Sequence, residues 1–256
     1  MKQTAAPIIS NREVMPGAYL IWLESPQIAT SARPGQFVMV HCGEDTLLRR
    51  PLSVHQVDGN RLALLFAIVG RGTNWLSQRK TGDIIDIFGP LGNGFTVFPN
   101  SHNLLLVAGG MGIAPLYFLA KETLKRGCSI TLLYGTAVRN PYPEDHLTHG
   151  IKLITATEDG TVGYRGMVTD LLPEFVDLAD QIFACGPLPM YKTMAQMPEL
   201  KNKPVQVSLE TRMGCGRGVC YSCTVKTKSG LKQVCQDGPV FDLDYIIWDE
   251  PGIAPE

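Results

Sequence analysis

A chain of 256 residues, 45% apolar and 18% charged, has enough apolar side chains to bury a sizeable core, which excludes a disordered chain. Lys and Arg (23) almost balance Asp and Glu (24), so the cationic excess that drives phosphate-backbone binding is missing and nucleic acid is excluded as a partner. No stretch reaches the roughly 18 apolar residues of a spanning helix, and the N-terminus lacks the apolar core of a signal peptide. The expected location is therefore cytoplasmic.

In chain order, β-type runs over 19–23, 36–41, 62–69 and 83–88 are separated by turn residues such as Pro34-Gly35, Asp58-Gly59-Asn60 and Gly92-Asn93-Gly94. Closely spaced strands without a long helical pattern predict a small barrel or sandwich, with one short helix near 73–79. From Asn103 the texture changes. An apolar run over 104–108 enters Gly109-Gly110-Met111-Gly112, then a helical stretch over 114–125 and a strand over 129–134. That order is the βαβ unit of a parallel sheet. Strands over 152–157, 181–185 and 205–209, with helices over 168–172 and 189–197, continue it. After Glu210 the chain is rich in Gly and Cys, a third unit too short to fold on a core of its own. The expected fold class is multi-domain β plus α/β: an antiparallel β-barrel over 1–98, a parallel-sheet nucleotide-binding domain over 99–209 and a small cysteine-bearing module over 210–256.

Cys215, Cys220, Cys223 and Cys235 are spaced C-x4-C-x2-C-x11-C. The first three match the plant-type [2Fe-2S] spacing, with a fourth thiol downstream. Gly214, Gly216 and Gly218 let the loop wrap closely around a cluster, with N–H groups free to face its sulfurs. A four-cysteine zinc site is the alternative, but zinc ribbons pair two C-x2-C knuckles and only one is present. Cys42 and Cys128 fit no motif, and the five histidines show no metal-ligand pattern.

Arg49-Arg50-Pro51-Leu52-Ser53, read at the end of a barrel strand, offers an arginine fork for a pyrophosphate and a hydroxyl for a flavin edge. Gly70-Arg71-Gly72-Thr73 precedes a short helix over 74–78, whose free N–H groups suit an anion. Two phosphate grips in one barrel point to a dinucleotide such as FAD. Gly109, Gly110 and Gly112 stand between a strand and a helix, the setting of a phosphate loop, although the G-x-G-x-x-G fingerprint is absent. Glu158 and Asp159 either hydrogen-bond a ribose or form a solvated turn. Arg139 follows the second strand of this unit, where a 2′-phosphate would be contacted if the cofactor were NADP. Cys185, by composition, reads as a buried strand-end thiol.

Taken together, RRPLSV, GRGT, VAGGMGIAPL, YGT, ACGPLPM and ETRMGCGRGVCYSCTV followed by VCQDGPVF resemble the electron-transfer subunits of two-subunit, NAD-dependent dihydroorotate dehydrogenases, in the ferredoxin-NADP reductase superfamily. The resemblance spans essentially the whole chain. It implies FAD on the barrel, with contacts from Arg50, Pro51, Leu52, Ser53 and the strand Leu65, Phe66, Ala67, and with Gly72 and Thr73 at the pyrophosphate. Ala67 stands where the family often has arginine, which removes one charge contact. The resemblance further implies NAD on the α/β domain, Cys185 beside the nicotinamide ring, and a [2Fe-2S] cluster on Cys215, Cys220, Cys223 and Cys235. The implied partner is an FMN-bearing catalytic dihydroorotate dehydrogenase subunit, in a heterotetramer of two plus two. Electrons from dihydroorotate oxidation would enter through the cluster singly and leave from FAD to NAD+ as hydride, serving pyrimidine (UMP) biosynthesis. A subunit of another reductase of this superfamily, such as a sulfide dehydrogenase, an NADP-ferredoxin oxidoreductase or a hydrogenase diaphorase, is the rival reading; a flavin-free regulatory or zinc-binding module is another.

Overall fold

The computed structural model describes residues 1–44, 46–137 and 142–248. Apolar side chains on alternate positions close the N-terminal part into an antiparallel barrel of β1 (Lys2–Met15), β2 (Ala18–Glu24), β3 (Phe37–Val40), β4 (Arg50–Asp58), β5 (Arg61–Ala67) and β6 (Ile84–Leu91), in the order β1-β2-β5-β4-β3-β6. Ile8, Ile21, Leu23, Val38, Leu64 and Ile87 meet inside it, each contributing about 1.5–3 kcal/mol through burial. Helix α1 (Pro26–Ala29) lies between β2 and β3, and α2 (Arg71–Ser77) between β5 and β6.

Strand β1, outside the β-type runs singled out in the sequence, extends for 14 residues. It pairs with β6 through Lys2–Pro7 and with β2 from Ile8 onward, so its buried side chains follow no single period. Arg50 to Ser53 begin β4 instead of ending a strand; Pro51, which has no N–H to donate, is tolerated near a strand's start. Helix α2 starts at Arg71 because the Thr73 hydroxyl accepts hydrogen bonds from the N–H groups of Val69 (2.9 Å) and Gly70 (3.2 Å), closing the turn before it.

The second sheet comprises β7 (Asn103–Gly109), β8 (Ser129–Thr136), β9 (Ile151–Thr157), β10 (Tyr164–Arg165), β11 (Gln181–Cys185) and β12 (Val205–Ser208), all parallel, with helices α3 (Ile113–Leu124), α4 (Leu172–Phe175) and α5 (Leu188–Gln196). In place of the helix expected over 168–172, the short α4 is flanked by 3-10 turns at Val168–Leu171 and Val176–Leu178. Strand β7 is apolar over 104–108 because both faces are covered there: Leu104, Leu106 and Ala108 pack with α3, whereas Leu105 and Val107 pack with α5 and the C-terminal unit. That unit forms the hairpin β13 (Thr224–Thr227) and β14 (Gly230–Gln233), and then β15 (Val240–Asp242), which joins the sheet antiparallel to β12. Among the described residues no helix is long and apolar enough to cross a membrane.

His55 on β4 joins barrel to sheet. It is fully buried; Nδ1 donates to the Ala114 carbonyl (3.0 Å), so Nε2 accepts from the Tyr142 hydroxyl (3.1 Å). Loss of water lowers its pKa from 6.5 to about 4.

Candidate functional site

Two cavities open at the C-terminal ends of the parallel strands, where ligands of such sheets gather. The first, about 480 Å³, lies between the barrel and residues 208–213; the second, about 490 Å³, lies over the turn from β7 to α3. Met111 and Glu210 line both.

Arg50, Pro51, Leu52, Ser53, Leu65, Phe66, Ala67 and Thr73 all line the first cavity. Gly72 stands behind it: a Cβ there would come 2.9 Å from Arg50 Nε, so only glycine lets that side chain lie against α2. Arg49 lines the cavity too, with its Nη2 donating to Asp86 Oδ2 at 2.6 Å, whereas Arg50 faces the cavity with one donor held by the Leu48 carbonyl. Among the lining residues, Thr211 keeps a buried hydroxyl with no hydrogen-bond partner among the described residues. A mostly apolar wall with the arginines Arg49, Arg50 and Arg212 at its margin and a buried hydroxyl fits a flavin nucleotide, apolar over its rings and anionic at its pyrophosphate.

Gly109, Gly110, Gly112 and Glu158 line the second cavity. Asp159 does not; it accepts from the Thr161 N–H (3.0 Å) and hydroxyl (2.8 Å), closing the turn after β9. Gly112 packs against the Cys185 carbonyl so closely that a Cβ would overlap it. Cys185 itself is fully buried and lines neither cavity. Burial, then the charge of Glu210, push its thiol well above the usual range. Arg139 lies outside the described residues.

Glu210 escaped the sequence reading. Its side chain is open to the cavities yet walled by protein at longer range, and this desolvation raises its carboxyl pKa. No hydrogen-bond or ion-pair partner for it is found among the described residues. Its place just after the last parallel strand was the available signal, because strand ends hold the ligands of open α/β sheets.

The thiols of the third unit lie close enough to influence one another, Cys220 with Cys215, and Cys235 with both Cys223 and Cys215. Among the described residues no three His, Cys, Asp or Glu side chains are grouped as one metal ion requires. Four thiols at C-x4-C-x2-C-x11-C spacing fit two irons better than a zinc ribbon, which pairs two C-x2-C knuckles. Backbone N–H groups already face the sulfurs: Arg217 and Val219 toward Cys215 (3.3 and 3.4 Å), Gly218 toward Cys235 (3.1 Å). Hydrogen bonds, first from the Ser222 side chain, lower the Cys220 thiol to about 6, whereas burial raises Cys235 to about 12. The loop rests on the barrel, with Gly216 against Met39 and the Arg217 guanidinium 4.2 Å above the centre of the Phe88 ring.

Residues 210–247 match the family model of the iron-sulfur cluster binding domain of dihydroorotate dehydrogenase B. The chain is 39% identical to the electron transfer subunit of dihydroorotate dehydrogenase B (NAD(+)) from Desulforamulus reducens, over 95% of this chain and 98% of that one. This chain belongs to that family. A family member from Clostridium acetobutylicum is 37% identical over 94% of this chain and 95% of its own length. Among solved structures, the NADH-dependent reduced ferredoxin-NADP oxidoreductase superposes with a TM-score of 0.87 at 32% identity, covering 96% of this chain and 91% of that one. A ferredoxin NADP+ reductase from Neisseria gonorrhoeae, with bound FAD and NADP, shares the fold at a TM-score of 0.63 and 16% identity, covering 85% and 95%.

Proposed function

We propose that the chain is the electron-transfer subunit of an NAD-dependent dihydroorotate dehydrogenase, carrying FAD in the first cavity, NAD in the second and a [2Fe-2S] cluster on Cys215, Cys220, Cys223 and Cys235. The observation that carries this reading is the meeting of the two cavities at Met111 and Glu210, which gives a flavin and a nicotinamide one shared wall. When bound, FAD exchanges single electrons with the cluster and a hydride with the nicotinamide.

The chain's own residues bind and orient. Arg50 grips the pyrophosphate while Gly72 keeps the space it needs and Thr73 holds the turn. Pro51, Leu52, Ser53, Leu65, Phe66 and Ala67 flank the flavin. Gly109, Gly110 and Gly112 admit the phosphates of NAD close to the backbone, and the Glu158 carboxylate accepts from a ribose hydroxyl. That same charge repels a 2′-phosphate, which favours NAD over NADP. Asp159 supports this as the residue that fixes the turn carrying Glu158. Glu210 accepts from the carboxamide of the nicotinamide, and Cys185 backs the ring from behind. The units over 1–98, 99–209 and 210–256 divide these tasks.

The partner is an FMN-bearing dihydroorotate-oxidising subunit in a cytoplasmic two-plus-two heterotetramer. It docks on the cluster face, where Cys220 is exposed and Val219 and Tyr221 are 73% and 68% accessible. The likeness to the ferredoxin-NADP oxidoreductase favours a second reading, a subunit of that kind of complex. Co-expression with the candidate dihydroorotate-oxidising partner separates the two. Dihydroorotate-dependent reduction of NAD+ is expected, with its loss in Cys220→Ala. Activity persisting in that variant with no iron bound would refute the relay.

A further inference from the structure

Tyr191, on α5, is 2% exposed, and its hydroxyl is committed on both sides: it accepts from the Gly186 N–H at 2.8 Å and donates to the Ser208 carbonyl at 2.7 Å. Gly186 follows β11 and lines the second cavity, whereas Ser208 ends β12 and lines the first. One hydroxyl thus bridges the walls of both cavities. It acts where the walls approach each other, since Ser208 is two residues from Glu210 and Gly186 is next to Cys185. On its other side the Tyr191 ring stacks on Trp248, centroids 5.4 Å apart at 29°, and the Trp248 Nε1–H donates to the Leu243 carbonyl at 2.9 Å. The ring is therefore held from behind by the segment that follows the cluster loop.

Strands β11 and β12 already pair in parallel through Cys185 and Ser208, so the sheet needs no further tie at this height. Beyond those residues the chains diverge, Gly186 toward the second cavity and Glu210 toward the junction. Their separation there is set by side chains, and Tyr191 supplies the bridge. Hydride exchange demands a near-attack distance of about 3–3.5 Å between reacting atoms, and an error of about 1 Å costs on the order of 10²-fold in rate.

We propose that Tyr191 is a positioning residue for hydride exchange, its hydroxyl fixing the spacing between the flavin cavity and the nucleotide cavity. The inference rests on the reading given under Proposed function. Tyr191→Phe keeps the ring and its stack on Trp248 and removes only the bridge, so it folds. Flavin bleaching by NADH is followed by stopped flow across NADH concentrations in the holoprotein, beside FAD and iron content and the melting temperature.

In Tyr191→Phe the limiting rate is expected to fall about tenfold, while half-saturation by NADH, FAD content and iron content stay within about twofold. A Trp248→Phe control, which loosens the packing and leaves the bridge, lowers the melting temperature and keeps the limiting rate. An unchanged limiting rate in Tyr191→Phe, or an equal fall in both variants, would overturn the positioning role alone. Failure of NADH to bleach the wild-type flavin would overturn the functional reading and this inference with it.

Discussion

Replacing Gly112 by alanine sets two effects of opposite sign against each other. Gly112 has φ −59° and ψ −15°, an ordinary right-handed conformation, so conformational entropy alone would favour alanine by about 0.4–1 kcal/mol. Sterics oppose it. A Cβ would overlap the Cys185 carbonyl and stand 2.9 Å from the Gly186 nitrogen, whereas apolar contacts are optimal at roughly 3.5–4.0 Å. All of these neighbours are backbone atoms, so no side-chain rotation relieves the overlap, and the start of α3 must move about 1 Å from β11. Overpacking of this kind costs about 1–3 kcal/mol or more, so the steric effect wins. The displaced turn carries Gly109, Gly110 and Met111, so the second cavity should distort as well. Gly112→Ala is expected to unfold at lower urea and to need at least tenfold more NADH to half-bleach the flavin, in line with a misplacement of about 1 Å. Gly110→Ala is the contrast. Gly110 has φ +53° and open space around its Cβ, so only the left-handed cost of roughly 1–2 kcal/mol applies. A Gly112→Ala protein with wild-type urea midpoint and wild-type NADH saturation would refute the reasoning.

The two arginines of the barrel should separate. Arg50→Gln loses a charge-assisted contact of about 1.5–3 kcal/mol, or roughly 10- to 100-fold in FAD affinity by fluorescence titration. Arg49→Gln, at a guanidinium that lines the cavity but is held by the Asp86 carboxylate and carbonyl, should leave FAD affinity within about threefold and cost about 0.2–1 kcal/mol of stability. Glu210→Gln is expected to slow NADH bleaching by about tenfold, as the loss of one charged hydrogen bond implies, with FAD content unchanged; wild-type kinetics would remove Glu210 from the site. His55 sets a pH dependence. Between pH 6.5 and about 4 the unfolded chain takes up a proton that buried His55 refuses, so stability falls as pH falls through that window, by about 3 kcal/mol at its full extent. His55→Gln should be less stable at pH 7 yet lose less between pH 7 and 4.5; an equal slope in urea titrations would assign the effect elsewhere.

Much of the molecule was legible because the signals are local. Cys215, Cys220 and Cys223 sit in one loop whose spacing alone constrains the ligand. The βαβ order around Gly109 to Gly112 follows from apolar runs covered on both faces, and the neighbours of β7 bear this out. Strand β1 was illegible because it changes partner at Ile8, which breaks the period that betrays a strand. Strands β13, β14 and β15 are 4, 4 and 3 residues long, too short for any periodicity.

The sequence by itself determined which chemistry is available: four thiols at cluster spacing, a glycine turn ahead of a helix, and arginine beside a barrel strand. Each depends on residues near one another along the chain, where spacing dictates geometry. Tertiary structure decided which groups face a ligand. It tied Arg49 to Asp86 and turned Arg50 toward the first cavity, placed Cys185 behind the cavity wall, and brought Glu210, 99 positions beyond Met111, to the line where both cavities meet. Such choices rest on packing between distant segments, and no local pattern records them.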